Sequence, residues 1–234
     1  MNVALVLAGG IGSRMKMGSF PKQYLMVRER PVIDYCLCTL QNHPMIDAIV
    51  IVADEQWRGF IDCWIQNSEI TKFAAYALPG KNRQLSIYNG LLAIESFVPE
   101  AMGVIIHDAA RPLLPKRLVT DCLVGLKEAD SVMPVLPIKD TCYQSVDGEN
   151  ICGFLPRNQL FAGQAPEAFR FTRYLQLHRE LSEEYLMQIS GSSELAYKNG
   201  MHVSMIPGSE RNFKITTKDD LALLEKFLDC EEKQ

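Results

Sequence analysis

Apolar runs of strand length alternate with segments of helical spacing over the first 137 residues of the chain. The predicted strands are Val3–Ala8, Ala48–Ala53, Phe73–Leu78, Gly103–His107 and Ser131–Pro137. The predicted helices between them are Val32–Asn42, Gln56–Gln66, Asn82–Phe97 and Lys116–Glu128. Strands that alternate with helices predict an α/β fold, with a mostly parallel sheet covered on both faces. The first strand is apolar at every position, as expected for a strand buried on both faces.

The alternation ends after Pro137. Two short strand-like runs, Thr141–Val146 and Ile151–Leu155, flank Asp147-Gly148, which is a hairpin signal. We predict that residues 138–160 form a β-hairpin arm that projects from the core and contacts a second subunit; an ordinary edge hairpin is the alternative. The remaining predicted elements are helices near Glu167–Leu181, Ser192–Asn199 and Lys218–Leu228, and a strand at His202–Ile206. We interpret residues 1–234 as a single domain with an inserted arm and no linker.

Composition narrows the range of partners. The net charge of −4 gives no support for non-specific nucleic-acid binding. The seven cysteines are scattered and form no CxxC pair, which favours reduced thiols in a cytoplasmic protein. No apolar run approaches the length of a membrane span, and Val3–Ala8 is interpreted as a strand rather than as part of a signal peptide.

A glycine-rich loop follows the first predicted strand. It contains Leu7, Ala8, Gly9, Gly10 and Gly12, and two cations follow at Arg14 and Lys22. Glycines let successive backbone N–H groups converge on phosphate oxygens. The loop lacks the third glycine of the dinucleotide fingerprint and has no GK[ST] sequence, so neither of those sites is indicated. Two cations beside such a loop favour a triphosphate; a tight strand-to-helix turn with two solvated cations is the alternative.

Several motifs together carry a resemblance to a known family. They are Leu7-Ala8-Gly9-Gly10-x-Gly12-x-Arg14-Met15, Pro21-Lys22-Gln23, Gly80-x-x-Arg83-x-x-Ser86, His107-Asp108-Ala109-Ala110-Arg111-Pro112, Lys139-Asp140-Thr141 and Asn212-Phe213-Lys214-Ile215-Thr216. In order and spacing the chain resembles the 2-C-methyl-D-erythritol 4-phosphate cytidylyltransferases, a family that includes ribitol-5-phosphate cytidylyltransferases. The resemblance implies a Rossmann-like fold of the nucleotide-diphospho-sugar transferase type. It also implies transfer of CMP from CTP to a polyol phosphate with release of pyrophosphate, dependence on Mg²⁺, and a homodimer.

The resemblance also implies roles for individual residues. The implied catalytic residues are Arg14, Lys22, Arg157 and Lys214. The implied CTP-binding residues are Leu7, Ala8, Gly9, Gly10, Gly12, Gly80, Lys81, Arg83, Ser86 and Lys214. The implied acceptor-binding residues are Asp108, Arg111, Thr141, Arg157, Ala165 and Ser190, with Thr141 and Arg157 supplied by the arm of the partner subunit, and Asp108 is the implied Mg²⁺ ligand.

The reaction fits these residue types. A phosphate monoester is mostly ionised at neutral pH because its second pKa is about 6, so no general base is needed. Positive charge is needed to bring two anions together and to neutralise the leaving pyrophosphate. Simpler alternatives remain open: Asp108 as a turn or helix-capping residue, Lys214 as a solvated edge residue, and Arg157 as a partner of a surface carboxylate.

Two departures from the family pattern concern the acceptor. The chain has Ala165-Pro166-Glu167 where the methylerythritol-phosphate enzymes usually have Thr-Pro-Gln, and Ser190-Gly191-Ser192-Ser193-Glu194 where they have a Thr-Asp-Glu-Ala-like stretch. The serines and Glu194 either bind acceptor hydroxyls or cap a helix. The acceptor therefore stays open among methylerythritol, ribitol, glycerol and other polyol phosphates, and with it the pathway, isoprenoid or wall and capsule synthesis. Two other classes are kept as alternatives, a nucleotide-binding partner protein without catalysis and a nicotinamide-dependent oxidoreductase.

Overall fold

The computed structural model describes residues 1–10 and 20–231. The strands are β1 (Asn2–Leu7), β2 (Met26–Val27), β3 (Arg30–Pro31), β4 (Ala48–Val52), β5 (Phe73–Ala77), β6 (Gly103–Asp108), β7 (Ser131–Pro137), β8 (Cys142–Gln144), β9 (Gly153–Leu155), β10 (Phe161–Gly163), β11 (Glu167–Arg170) and β12 (Val203–Pro207). The helices are α1 (Val32–Gln41), α2 (Glu55–Asn67), α3 (Arg83–Phe97), α4 (Lys116–Gly125), α5 (Phe171–Glu180), α6 (Glu183–Gln188), α7 (Ser192–Lys198) and α8 (Lys218–Glu231). None of these helices is long and apolar enough to cross a bilayer.

The main sheet of the described chain has eight strands, and its centre is parallel. The strand order is β10-β7-β11-β6-β1-β4-β5, with β12 also paired to β7. Strand β1 pairs in parallel with both β4 and β6. Strand β11 runs antiparallel to β6 and β7, and β10 runs antiparallel to β7. The predicted α/β fold with a mostly parallel sheet is thus confirmed.

The core lies on both faces of this sheet. Val3 and Leu5 of β1 pack into one apolar cluster with α3 and α5, while Ala4 and Val6 pack into another with α1, α2 and α4. Successive side chains of a strand point to opposite faces, so a strand covered by helices on both sides must be apolar throughout. This explains the unbroken apolar run at the start of the chain.

The predicted helix Glu167–Leu181 begins later than expected. Residues Glu167–Arg170 form strand β11, and the helix α5 starts at Phe171. Ala168 and Phe169 are fully buried in the sheet, where they pair with both β6 and β7. Burial between two strands outweighs the helical spacing that the sequence suggested. The short elements β2, β3, β10 and α6 were not predicted.

The hairpin arm forms a small sheet of its own. Strands β8 and β9 pair with each other in register Cys142↔Leu155 and do not join the main sheet. The loop between them is longer than a two-residue turn. Asp147 organises it, because its Oδ1 accepts hydrogen bonds from the N–H groups of Glu149 and Asn150 at 2.9 and 2.8 Å. Gly148 next to it has a φ of +78°, which a glycine adopts without strain.

Candidate active site

The parallel strands bring the carboxyl ends of β1, β4 and β6 to one edge of the sheet. Leu7, the last residue of β1, pairs with Val52 on one side and with Asp108 on the other. Open α/β sheets bind ligands at this edge. The glycine-rich loop leaves the sheet here, and the N–H of Ala8 still donates to the carbonyl of Val52 at 2.8 Å.

The first residues of the glycine-rich loop lie against a second glycine-containing segment. A Cβ atom on Gly9 would lie 2.5 Å from Cβ of Pro79, so only glycine fits there. The N–H groups of Gly9 and Gly10 donate no hydrogen bond to another described residue. Gly12 and Arg14 fall in the segment 11–19, outside the described residues.

The second segment, residues 79–82, leads into α3. Ser86 accepts a hydrogen bond from the N–H of Gly80 at 2.9 Å, and the side chain of Asn82 caps the helix through the N–H of Leu85 at 2.9 Å. Gly80 and Ser86 thus form one folded unit beside the first loop. Lys81 is exposed and its Nζ lies 2.6 Å from the carboxylate of Glu183, so in this structure it pairs with α6.

Asp108 lies at the centre of a cluster of cations. Its Oδ2 lies 3.0 Å from Nζ of Lys214 and 3.4 Å from Nε of Arg111, and its Oδ1 lies 3.6 Å from Nη2 of Arg83. Burial by itself raises the pKa of the Asp108 carboxyl, but Arg83, Lys214 and Arg111 outweigh it and hold that pKa well below its usual range. Asp108 is therefore an anion at neutral pH.

Two backbone contacts place the cations of this cluster. The N–H of Ile215 donates to the carbonyl of Ala110 at 2.8 Å, which fixes Lys214 beside the end of β6. Nη1 of Arg111 donates to the carbonyl of Asn212 at 2.7 Å. The sequence motifs around Asp108 and Lys214 are thus brought together, although 106 residues separate these two side chains.

Glu167 extends the cluster and was not among the predicted site residues. Its Oε1 lies 3.2 Å from Nη2 of Arg83, and its Oε2 accepts from the N–H and Oγ of Ser193 at 2.9 and 2.7 Å. Arg83 also donates to Oγ of Ser192. One guanidinium thereby joins β6, β11 and α7. The signal for this residue in the sequence was Glu167 itself, which stands where the family's Thr-Pro-Gln has glutamine.

The segment before α7 is used mainly to cap that helix. The carboxylate of Glu194 accepts from the N–H groups of Ser190 and Gly191 and from Oγ of Ser190, at 2.9 to 3.2 Å. The contacts of Glu194 are therefore those expected if this residue caps the helix. Ala165 is buried and offers only a methyl group, and its carbonyl accepts from Nδ2 of Asn212 at 2.6 Å.

The arm residues of the predicted site do not reach the Asp108 cluster of the same chain. Arg157 is exposed, and its Nη1 donates to the carbonyl of Lys139 at 2.9 Å. Thr141 is exposed immediately before β8. The assignment of these two residues to a site on a partner subunit stays a prediction.

His107 precedes Asp108 and is fully buried. Its Nε2 lies 3.0 Å from the carbonyl of Arg111. Burial lowers the pKa of His107 to about 4, so the ring is neutral at pH 7. It packs within the fold and carries no charge into the site.

Comparison with known proteins shows the family to which the chain belongs. The profile of the IspD family, 2-C-methyl-D-erythritol 4-phosphate cytidylyltransferase, matches residues 2–230. The chain belongs to this cytidylyltransferase family. The ribitol-5-phosphate cytidylyltransferase of Streptococcus agalactiae serotype Ia is 29% identical to this cytidylyltransferase over 234 residues, covering 100% of this chain and 98% of that protein. The 2-C-methyl-D-erythritol 4-phosphate cytidylyltransferase of Rubrobacter xylanophilus is 35% identical over 237 residues, covering 99% and 96%.

A solved structure supports the fold. The crystal structure of 4-diphosphocytidyl-2C-methyl-D-erythritol synthase from Anaerococcus prevotii aligns with a TM-score of 0.82 and 22% identity, over 97% of this chain and 96% of that one. The arrangement of the sheet and its helices is therefore shared with that enzyme.

Proposed function

We propose that this cytidylyltransferase transfers CMP from CTP to a polyol phosphate at the sheet edge between the glycine-rich loop and Asp108. The observation that carries the proposal is the convergence of Lys214, Arg111 and Arg83 on the buried Asp108, directly beside two glycine segments. A site for two anionic substrates needs this concentration of positive charge.

Binding of CTP falls to the two glycine segments. Backbone N–H groups of Gly9 and Gly10 would donate to phosphate oxygens, with Leu7, Ala8 and Gly12 shaping the loop. Gly80, Lys81, Arg83 and Ser86 form the facing wall. Lys22 and Arg14 would place charge on the phosphates and stabilise the departing pyrophosphate.

The acceptor phosphate needs positioning rather than deprotonation. Its second pKa is about 6, so it is an effective nucleophile at neutral pH without a general base. Lys214 and Arg111 would attract it, and the partner subunit's arm would add Thr141 and Arg157. Ala165 and Ser190 would line the side on which the polyol lies.

Asp108 fits a role in holding Mg²⁺. Its carboxyl is ionised, and its Oδ1 makes no hydrogen bond to another described residue, since Nη2 of Arg83, its ion-pair partner, is 3.6 Å away. Mg²⁺ is commonly held by one or two carboxylates plus substrate phosphates. Such an ion supplies charge neutralisation at the triphosphate. No group of three or more acidic, histidine or cysteine side chains that could hold a metal occurs among the described residues.

The acceptor class is proposed from the relatives. Proteins of about 30% identity act, by their names, on ribitol 5-phosphate or on 2-C-methyl-D-erythritol 4-phosphate. The departures at Ala165 and Gly191 affect the polyol side, and a site built around hydroxyl contacts discriminates strongly between polyols. We therefore expect one of these two phosphates, or a related polyol phosphate, to be clearly preferred.

A pyrophosphate-release assay over four nucleoside triphosphates and a panel of polyol phosphates tests the function. CTP with one polyol phosphate should give the highest kcat/KM, and D108N should lower it while D130N, at a surface carboxylate bound by Arg173, should not. CTP binding without turnover on any acceptor would instead indicate a nucleotide-binding protein. Preference for another nucleotide would contradict the cytidylyl assignment.

A further inference from the structure

Gln23 connects the glycine-rich loop to Lys22, the residue directly before Gln23 in the sequence. It lies in the one-turn 3₁₀ helix Lys22–Tyr24 and is only 3% exposed. Its Nε2 donates to the carbonyl of Ala8 at 2.5 Å and to the carbonyl of Gly10 at 2.9 Å. An amide nitrogen carries two hydrogens, so both are used on the loop.

Tyr24 strengthens the same connection. Its hydroxyl donates to the carbonyl of Ala8 at 3.0 Å, and its ring stacks on Trp57 with centroids 4.7 Å apart. Burial raises the pKa of the Tyr24 phenol, so the hydroxyl stays protonated as a donor. With the N–H of Ala8 bound to Val52, the first loop residue is held from both sides.

The direction of these carbonyl groups matters for an anionic ligand. A carbonyl oxygen that faced a phosphate would repel it, whereas an N–H group attracts it. Gln23 holds the carbonyls of residues 8 and 10 on its own side of the loop. The N–H groups of Gly9 and Gly10, which have no acceptor among the described residues, are left for the ligand.

We propose that Gln23 is a positioning residue for nucleotide transfer: it keeps the loop carbonyls away from the triphosphate and fixes Lys22 in register with the loop. The proposal rests on the proposed function, because it assumes that a triphosphate binds here. Gln23 itself touches no substrate and acts through the loop and through Lys22.

The first test is steady-state kinetics of Q23L, which keeps most of the side-chain volume and removes both donors. Loss of both hydrogen bonds leaves the carbonyls of residues 8 and 10 free to turn toward the triphosphate. We expect kcat per active site to fall by about 10- to 100-fold and KM for CTP to rise several-fold, with KM for the acceptor unchanged. The matched control is N2L, at the other end of β1. This substitution removes the hydrogen bond that Nδ2 of Asn2 donates to the carbonyl of Met45 at 3.1 Å. N2L should keep wild-type kinetic constants.

A second variant separates positioning from general stability. In Q23E an ionised carboxylate would face two carbonyl oxygens, whereas a protonated one can donate to one of them. Burial and the facing oxygens favour the protonated form. The kcat of Q23E relative to wild type should therefore rise as the pH falls from 8 to 6. Because kcat is counted per active site, a change in the amount of folded protein alone would not produce this recovery.

The outcomes are distinct. If wild type transfers CMP and Q23L keeps its kcat and KM for CTP, or only loses melting temperature, the positioning role is wrong while the function stands. If Q23L does not fold, the pH profile of Q23E decides, and a ratio independent of pH overturns the proposal. If wild type transfers no CMP to any acceptor, the proposed function itself fails.

Discussion

The buried ionisable side chains divide into two kinds. Asp108 is charged because three cations surround it, whereas His107 and His178 are neutral because burial lowers the pKa of each ring. Removing the cation of a buried ion pair lowers the free energy of unfolding by more than the pair itself contributes, because an unpaired charge is left in a poorly solvated place. Substitution of Arg83 would therefore affect both Asp108 and Glu167.

The two histidines predict a dependence of stability on pH. Burial lowers the pKa of each to about 4, against an ordinary value of 6.5. Between these values the unfolded chain binds protons that the folded chain excludes, so the free energy of unfolding should fall as the pH drops from 6.5 to 4. Above 6.5 both states are neutral and the histidines contribute no slope.

Urea denaturation across this pH range checks the expectation with H178Q. Each histidine adds a slope of up to about 1.4 kcal/mol per pH unit, so H178Q should flatten the curve. H202Q, at an exposed position, is the control and should keep the wild-type slope. An unchanged slope in H178Q would mean that His178 is not excluded from protonation.

At the scale of single residues, the sequence predicted the site residues that belong to local motifs. Asp108, Arg111 and Lys214 meet as the motifs suggested. Glu167 was missed, since its role depends on the pairing of β11 with β6, which links positions far apart in the chain. Lys81 shows the opposite case, a motif residue whose contact, Glu183, no local pattern could indicate.

The turn before α3 depends on a glycine for its shape. A Cβ atom on Gly80 would lie 2.5 Å from Cβ of Leu85 and 2.6 Å from its carbonyl carbon, where the first turn of the helix leaves no room. The backbone of this turn cannot move without breaking the bond between Gly80 and Ser86. Close packing thus explains the glycine of the motif Gly-x-x-Arg-x-x-Ser, and the hydrogen bond from the N–H of Gly80 explains its serine.

Alanine at position 80 should therefore be destabilising. We expect G80A to lower the free energy of unfolding by about 1–3 kcal/mol, as for other overpacked sites, and to weaken CTP binding. G59A is the matched control, because a Cβ on Gly59 meets nothing within 4 Å and alanine favours a helix interior by about 0.5–1 kcal/mol. Denaturant melts of both variants should shift in opposite directions. Equal stabilities for G80A and wild type would contradict the packing argument.

Elements were predicted best where both faces of a strand are buried. Strands β1, β4, β6 and β7 follow apolar runs and were found within one residue of their observed ends. The segment Glu167–Arg170 was predicted wrongly as helix, because four residues are too few to show a period and the sheet that buries them is assembled from distant strands.

On the scale of the whole molecule, the arm presents apolar side chains that none of the described residues of its own chain covers. Phe154 is 77% exposed and Tyr143 is 61% exposed. Exposed apolar patches are a feature of interaction surfaces. They support the proposed homodimer, in which Arg157 would serve the partner subunit's site.

The dimer predicts a concentration-dependent effect of one arm substitution. F154D should shift sedimentation velocity profiles at micromolar protein from dimer to monomer, and should lower kcat because the site loses its partner arm. Y197D is the control, since Tyr197 is 76% exposed on α7 outside the arm. A wild-type protein that is monomeric at every concentration, or a fully dimeric F154D, would contradict the prediction.

The guanidinium of Arg83, shared between Asp108, Glu167 and Ser192, has a consequence for ligand binding. Thermodynamic linkage is reciprocal. A ligand that competes with one carboxylate for Arg83 changes the free energy of the interaction between Arg83 and the other carboxylate, and that interaction changes the binding free energy of the ligand by the same amount. An anion that binds Arg83 beside Asp108 therefore weakens the ion pair between Arg83 and Glu167. Because Glu167 also accepts hydrogen bonds from Ser193, the contact with α7 is affected as well. The two carboxylates, Asp108 and Glu167, are in this way energetically coupled through one side chain.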